Sequence, residues 1–178
     1  MPSNIRFCLD TSCLIEANNR YYAFDILPRF WDLILECSKE EIILIPEIVY
    51  EEIEKYQGKD ELLEWAKNHK DTLFKKMSSE VFRLNGDISN YVYEHYKEDK
   101  ASQFLDSGDP LIIAYAKVNG LILITHEKYI NLSHSANKKD GKFISEVKIP
   151  NICEKFGVEY KNLFDMLRIL RTEYNKKL

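Results

Sequence analysis

The chain has 178 residues, 45% of them hydrophobic and 30% charged, with 6 Gly and 5 Pro; this excludes disordered, collagen-like and low-complexity classes and suits one domain with its own core, spanning 1–178. With 25 Lys and Arg against 29 Asp and Glu, the net charge is −4. Bulk electrostatics therefore cannot hold nucleic acid, and any such contact needs a local basic patch or a metal bridge.

The first residues, Met1-Pro2-Ser3-Asn4-Ile5-Arg6, lack the apolar run of a signal peptide, and no apolar stretch approaches the roughly 20 residues of a membrane span. Cys8, Cys13, Cys37 and Cys153 form no CxxC pair and have no His at zinc-finger spacing, which argues against structural zinc and against a disulfide scaffold. The expectation is a soluble, reduced, cytoplasmic protein.

Ile5-Arg6-Phe7-Cys8-Leu9 reads as the first strand, followed by an apolar helical pattern over 28–39 that carries Phe30, Trp31, Leu33, Ile34 and Leu35. Ile42-Ile43-Leu44-Ile45 is an almost uninterrupted apolar run, as expected of a strand buried on both faces of a parallel sheet. Residues 60–69 form a helix with an acidic first turn, and 79–98 form one or two more, broken at Asn85-Gly86. A compact apolar helix over 110–119 stops at Gly120 and leads into the strand Leu121-Ile122-Leu123-Ile124. Residues 150–156 make a short helix ended by Gly157, Val158-Glu159-Tyr160 a fourth strand, and 162–174 an amphipathic helix. Alternating strand and helix predicts an α/β sandwich with a mostly parallel sheet.

The stretch 126–148 resists assignment. It is polar and turn-rich, with Asn131, Ser133, Ser135, Asn137 and Gly141, and sets Lys128, Lys138, Lys139, Lys142 and Lys148 against Glu127, Asp140 and Glu146. It is either a solvated insertion or a flap that contacts a phosphate backbone.

Ligands of open parallel sheets bind outside the carboxyl ends of the strands. Asp10 follows the first strand and Glu127 follows the third, so both belong to one sheet edge. Taken singly, Asp10 reads equally well as a helix cap and Glu127 as a loop residue in water. In the helix after the second strand, about 100° per residue places Glu52 inside the apolar stripe of Ile48, Val49, Ile53 and Tyr56, while Glu47, Glu51 and Glu54 face outward. An ionised Glu52 turned to the sheet is costly unless paired, either with a cation or in a buried salt bridge. Asp109 before Pro110 has the pattern of an N-cap with proline at the first helical position, yet it shares a face with Ile112, Ile113 and Ala116. Asp106 is a candidate accessory.

Carboxylates from four separate elements that meet at one edge repel, and each raises its neighbours' pKa unless a cation neutralises them. Oxygen-only ligands select Mg²⁺ or Mn²⁺ over zinc. Such a cluster, with one or two ions, activates water and stabilises charge on a phosphodiester. None of His69, His95, His126 and His134 has a convincing partner spacing, although His126 adjoins Glu127.

Leu9-Asp10-Thr11-Ser12, Ile45-Pro46 through Glu52-Ile53, Asp109 with Leu111-Ile112-Ile113-Ala114-Tyr115-Ala116, and Leu123-Ile124-Thr125-His126-Glu127 together make the chain resemble a PIN-domain nuclease of the VapC toxin type. The segments 18–31 and 148–164 are similar to a little-characterised PIN subfamily. The resemblance implies a three-layer α/β/α sandwich, a Mg²⁺- or Mn²⁺-dependent ribonuclease, and often the toxin half of a toxin–antitoxin pair. By match to the motif, Asp10, Glu52 and Asp109 are the core metal ligands, and Glu127 holds the fourth acidic position, where the family more often has aspartate. A helical insertion over about 57–105 and the lysine-bearing loop are larger than in short family members.

Two functions follow. In the first, Asp10, Glu52, Asp109 and Glu127 are the metal-binding and catalytic residues of an endoribonuclease, and RNA approaches over the lysine loop and Arg168, Arg171, Lys176 and Lys177, with Tyr91, Tyr93 and Tyr96 either stacking bases or packing a helix. In the second, the fold is a catalytically weak protein-binding module whose ligand is an antitoxin or another protein. The resembling family is often dimeric, so a homodimer is also a candidate. Aspartyl phosphatase chemistry fits poorly, because it usually places a second aspartate two residues after the first, where Ser12 stands.

Overall fold

A computed structural model describes residues 4–56, 60–133 and 138–178. Expectations resting on Met1, Pro2 and Ser3, on 57–59 at the start of the helical insertion, and on His134, Ser135 and Asn137 fall outside the described residues.

The chain runs β1 (Phe7–Leu9), α1 (Thr11–Glu16), a π-helical turn (Ala17–Tyr21), α2 (Pro28–Lys39), β2 (Ile43–Pro46), α3 (Glu47–Lys55), α4 (Asp60–Asn68), α5 (Lys70–Leu73) and β3 (Phe74–Lys75). It continues through α6 (Ser79–His95), α7 (Glu98–Leu105), α8 (Asp109–Asn119), β4 (Ile122–Ile124), the hairpin β5 (Lys138–Lys139) and β6 (Lys142–Phe143), α9 (Ile149–Phe156), β7 (Tyr160–Lys161) and α10 (Leu163–Glu173). Five parallel strands form the central sheet in the order β3-β2-β1-β4-β7. Helices flank it in a three-layer α/β/α arrangement.

The apolar strand runs cause this architecture. Phe7, Cys8, Leu9, Ile43, Ile45, Leu123 and Ile124 are buried at the centre, each worth roughly 1.5–3 kcal/mol for a large aliphatic or aromatic side chain. Helix α8 lies against β1 and β4 and gathers α6, α7 and α9 around itself, while α2 lies against β2 and α5. Gly120 (φ 62°) and Gly157 (φ 64°) end α8 and α9 in the left-handed region, where a side chain would be strained. Each releases the chain directly into the next strand. The aromatic segment after α1 is fixed by Phe24 stacked on Trp31 at 4.1 Å and Trp31 edge-on to Trp65 at 4.9 Å. All four cysteines are buried and free.

Several expectations change. Helix α6 does not break at Asn85-Gly86 but runs unbroken over Ser79–His95. The ~1 kcal/mol penalty of a mid-helix glycine is outweighed by burial of Val81, Ile88 and Val92, on a helix packed against α8. The fourth predicted strand lies slightly later, at Tyr160–Lys161. The short edge strand β3 is too brief to leave a periodic signal, and part of the polar stretch 126–148 folds as the β5–β6 hairpin around Asp140 and Gly141. Among the described residues no helix is long and apolar enough to cross a membrane.

Candidate metal centre

Register brings the acids together. β1 and β4 pair with Leu9 opposite Ile124, and the ladder continues as Asp10 N donates to Ile124 O at 3.0 Å. Asp10 and Thr125 therefore leave the sheet side by side. Helix α3 starts directly after β2 and α8 starts beside it, so Glu52 and Asp109 arrive at the same edge. Asp10, Glu52, Asp109 and Glu127 line one cleft of about 340 Å³ with Thr11, Ser12, Ile15 and Ile149.

Each carboxylate is held differently. Asp10 stands at the N-cap position of α1 but makes no capping bond; its Oδ2 instead accepts from Thr125 Oγ1 at 3.0 Å and from the Ser12 hydroxyl. Glu52 Oε1 accepts from Gly108 N at 2.8 Å, and its Oε2 accepts from the Thr11 hydroxyl. The buried salt bridge open to Glu52 is therefore not what holds it. Asp109 is the first residue of α8, with Gly108 at the cap position and no side-chain cap bond; the expected capping role does not occur, and its carboxylate remains available to the cleft. Glu127 is the most committed, accepting from Lys148 Nζ at 3.2 Å and from Ile149 N at 2.7 Å.

The charges are poorly compensated. Burial pushes Asp10 up to about 6, helped by Glu52 and opposed by the Ser12 and Thr125 hydroxyls. Burial, then the negative charges of Asp10, Glu127 and Glu52, push Asp109 up to about 8. Cys8, Cys13 and Cys153, around Asp10, are raised by burial and by that carboxylate, so they stay neutral thiols and poor metal ligands. The donor set is thus oxygen-only, which suits a hard divalent ion. Among the described residues no three acidic, His or Cys side chains are drawn around one point as a metal site; the four acids share a cleft without converging on a single position. Asp10, Glu52 and Asp109 are the residues that would hold such an ion, since their hydrogen-bond donors among the described residues are neutral, Ser107 on Asp109 included. Glu127 would join them only by giving up Lys148.

Other residues singled out in the sequence lie elsewhere. Asp106 is exposed and outside the cleft. The Tyr174 hydroxyl donates to Ile5 O ahead of β1, and Lys176 pairs with Glu40 ahead of β2 at 2.6 Å. The carboxyl-terminal basic residues Arg171, Lys176 and Lys177 therefore sit where strands enter the sheet, opposite the acids, and cannot flank the cleft. Arg168 pairs with Asp165 at 2.8 Å. Tyr96 is buried and Tyr91 stacks on His95 at 4.2 Å, so both serve packing, while Tyr93 is exposed.

Sequence reasoning missed Gly108. A Cβ there would meet Glu52 Oε1 at 2.7 Å and Ile48 Cγ1 at 2.9 Å, so only glycine lets α8 start against the Glu52 carboxylate. It also missed Lys148 as the partner of Glu127. The signals were present: a glycine directly before Asp-Pro, and a lysine directly before Ile149-Pro150.

Among curated proteins none matches the chain. Among solved structures, a chain of VapBC2 from Rickettsia felis bound to a DNA fragment from its promoter is similar at a TM-score of 0.50 and 12% identity, covering 89% of this chain and 98% of that one. A chain of DNA-bound VapBC from Salmonella typhimurium matches at a TM-score of 0.42 and 17% identity, over 80% of this chain and 98% of that one. The first is a likeness of fold. A family model described as a domain of unknown function, DUF4411, matches residues 7–174, and the chain belongs to that family.

Proposed function

We infer that the protein is a Mg²⁺- or Mn²⁺-dependent endoribonuclease of the PIN type, acting through Asp10, Glu52, Asp109 and Glu127. The observation that carries this reading is the meeting of Asp10, Glu52 and Asp109 in one cleft, with Asp109 driven up to about 8 and, among the described residues, no lysine or arginine bonded to any of the three. Stored repulsion of this kind has a use only when a cation relieves it.

The chain's own residues divide the work. Thr11 and the Gly108 amide fix the Glu52 carboxylate from two sides, and Ser12 and Thr125 fix Asp10. Asp109 closes the set from the start of α8, and Lys148, shared with Glu146, balances Glu127, which would hold the ion as a fourth ligand only without that lysine. When bound, the ion supplies Lewis-acid stabilisation of the charge that builds on a phosphodiester and a means of activating water near neutral pH. The fold shared with a chain of the VapBC2 complex extends the proposal to a protein antitoxin as partner and a cytoplasmic toxin role, with a homodimer as the candidate assembly.

The test is cleavage of structured and unstructured RNA with Mn²⁺, Mg²⁺ or EDTA, comparing wild type with Asp10→Asn and Glu52→Gln. Metal-dependent cleavage that both variants lose is expected; equal activity in all three sinks the proposal. The Lys148–Glu127 pair favours one competing reading, a catalytically weak protein-binding module. That reading expects weak Mn²⁺ binding in a calorimetric titration.

A further inference from the structure

β4 and β7 are parallel neighbours, with Ile124 opposite Lys161 and Thr125 N donating to Lys161 O at 3.0 Å. Their exits run together and open a second cleft of about 550 Å³, whose lining includes His126, Lys128, Tyr129, Tyr160, Lys161 and Phe164. Glu127 lines both this cleft and the acidic one, so the two adjoin.

Aromatic faces concentrate here without being buried. Tyr129 is 51% exposed, Phe164 40% and Tyr21 44%. Tyr21 meets Phe164 edge-on at 5.7 Å and His126 at 6.3 Å. Of the six exposed Phe and Tyr side chains among the described residues, these three gather at one place, while Tyr56, Phe82 and Tyr93 are the others. The acids in the cleft are already satisfied. Asp165 accepts from Arg168 and from Asn162 Nδ2, and Glu127 from Lys148 and Ile149 N. Lys128 is exposed and makes no ion pair among the described residues, and Lys161 sits on Glu159 at 2.9 Å at the rim.

The geometry points to a single-stranded nucleic acid as the occupant: unpaired bases stack on Tyr129 and Phe164 while the backbone passes Lys128 and Lys161 on its way to the acids. This rests on the nuclease reading and names its substrate as unpaired strand. A duplex cannot use such a platform, because its bases are stacked on one another. A protein partner is the poorer match, since Lys128, Lys161, Asn162 and His126 leave little dry apolar centre.

The experiment is fluorescence anisotropy with a short labelled oligoribonucleotide, the oligodeoxyribonucleotide of the same sequence, and the corresponding duplex. Wild type is measured in EDTA and Asp10→Asn in Mg²⁺, and the strand is checked for integrity afterwards. Tyr129→Ala and Phe164→Ala are each expected to weaken single-strand binding by about five- to a hundredfold, and Tyr129→Phe and Phe164→Tyr to retain it. Single strand is expected to bind more tightly than duplex. Weakening on both strands names any single strand as the occupant, and weakening on RNA alone names RNA. Absent binding, equal duplex binding or unchanged alanine variants overturn the assignment. So does loss of self-association in Tyr129→Ala with oligonucleotide affinity intact, which gives the cleft to a protein contact. If stacking-dependent binding persists while no RNA is cleaved in Mn²⁺, the cleft stands and the nuclease reading falls. If wild type and alanine variants cleave and bind alike, the reverse holds.

Discussion

Asp109→Asn should make the metal-free protein more stable while removing its activity. The Asp109 carboxyl moves from 3.8 to about 8 on folding, through burial and the charges of Asp10, Glu127 and Glu52. The folded chain therefore binds this proton more tightly than the unfolded one. Stability is full below about 4 and is lost as the pH rises toward about 8. At about 1.36 kcal/mol per pH unit, the ceiling is about 6 kcal/mol for the move from 3.8 to about 8. Because Asp109 is partly exposed and shares its repulsion with Asp10, about half of this, roughly 2–3 kcal/mol, is the expected cost of ionising it at pH 8. Asparagine keeps the shape and removes the charge. In EDTA at pH 8 its Tm should exceed that of wild type by roughly 5–10 °C, and the difference should shrink toward pH 4. Adding Mn²⁺ should raise the wild-type Tm and barely move the variant's. A lower Tm for Asp109→Asn at pH 8, or a wild type indifferent to Mn²⁺, would refute the account of a cation-relieved cluster. A purely structural Asp109 predicts that lower Tm.

Gly108→Ala drives a methyl to within 2.7 Å of Glu52 Oε1, so the carboxylate must move and the Gly108 amide bond lengthen; a loss of about 1–3 kcal/mol is expected, with at least a tenfold fall in cleavage, and an unchanged Tm by calorimetry would show that Glu52 is not fixed there. Gly86→Ala should act in the opposite direction: a Cβ at Gly86 meets nothing within 4 Å in the middle of α6, so about 0.5–1 kcal/mol of stabilisation is expected with no change in activity, and thermal unfolding that shows destabilisation would mean α6 is not continuous there.

The acids were legible and their supports were not. The strands β1, β2 and β4 announce themselves as buried apolar runs, which identifies the residues leaving their carboxyl ends, Asp10 and Glu127, and helical periodicity orients Glu52. Local patterning covers all of this. It also covers α2, whose bounds Pro28–Lys39 follow from a proline at the start and an apolar period. What escaped depends on contacts between elements distant in the chain. Asp-Pro at 109–110 has the local signature of an N-cap, but the amide before it, Gly108 N, donates to Glu52, 56 residues away, and the helix begins one residue earlier than the signature suggests. A continuous α6 across Gly86 depends in the same way on packing against α8. Lys148 meets Glu127 only because α9 starts beside the exit of β4.

That division has a physical cause. A carboxylate placed by strand register needs nothing beyond its own segment to reach the sheet edge, whereas a donor that restrains it must come from another element. The donors chosen are two threonines, a serine and a backbone amide on Asp10 and Glu52. Neutral donors orient an oxygen without cancelling its charge. An arginine in any of those places would neutralise the carboxylate and compete with a cation for the same oxygens. Among the described residues the one lysine bonded to the four acids is Lys148 on Glu127, at the rim shared with the aromatic cleft. It also pairs with Glu146 at 2.8 Å, so the charge of Glu127 is balanced where those of the other three are not.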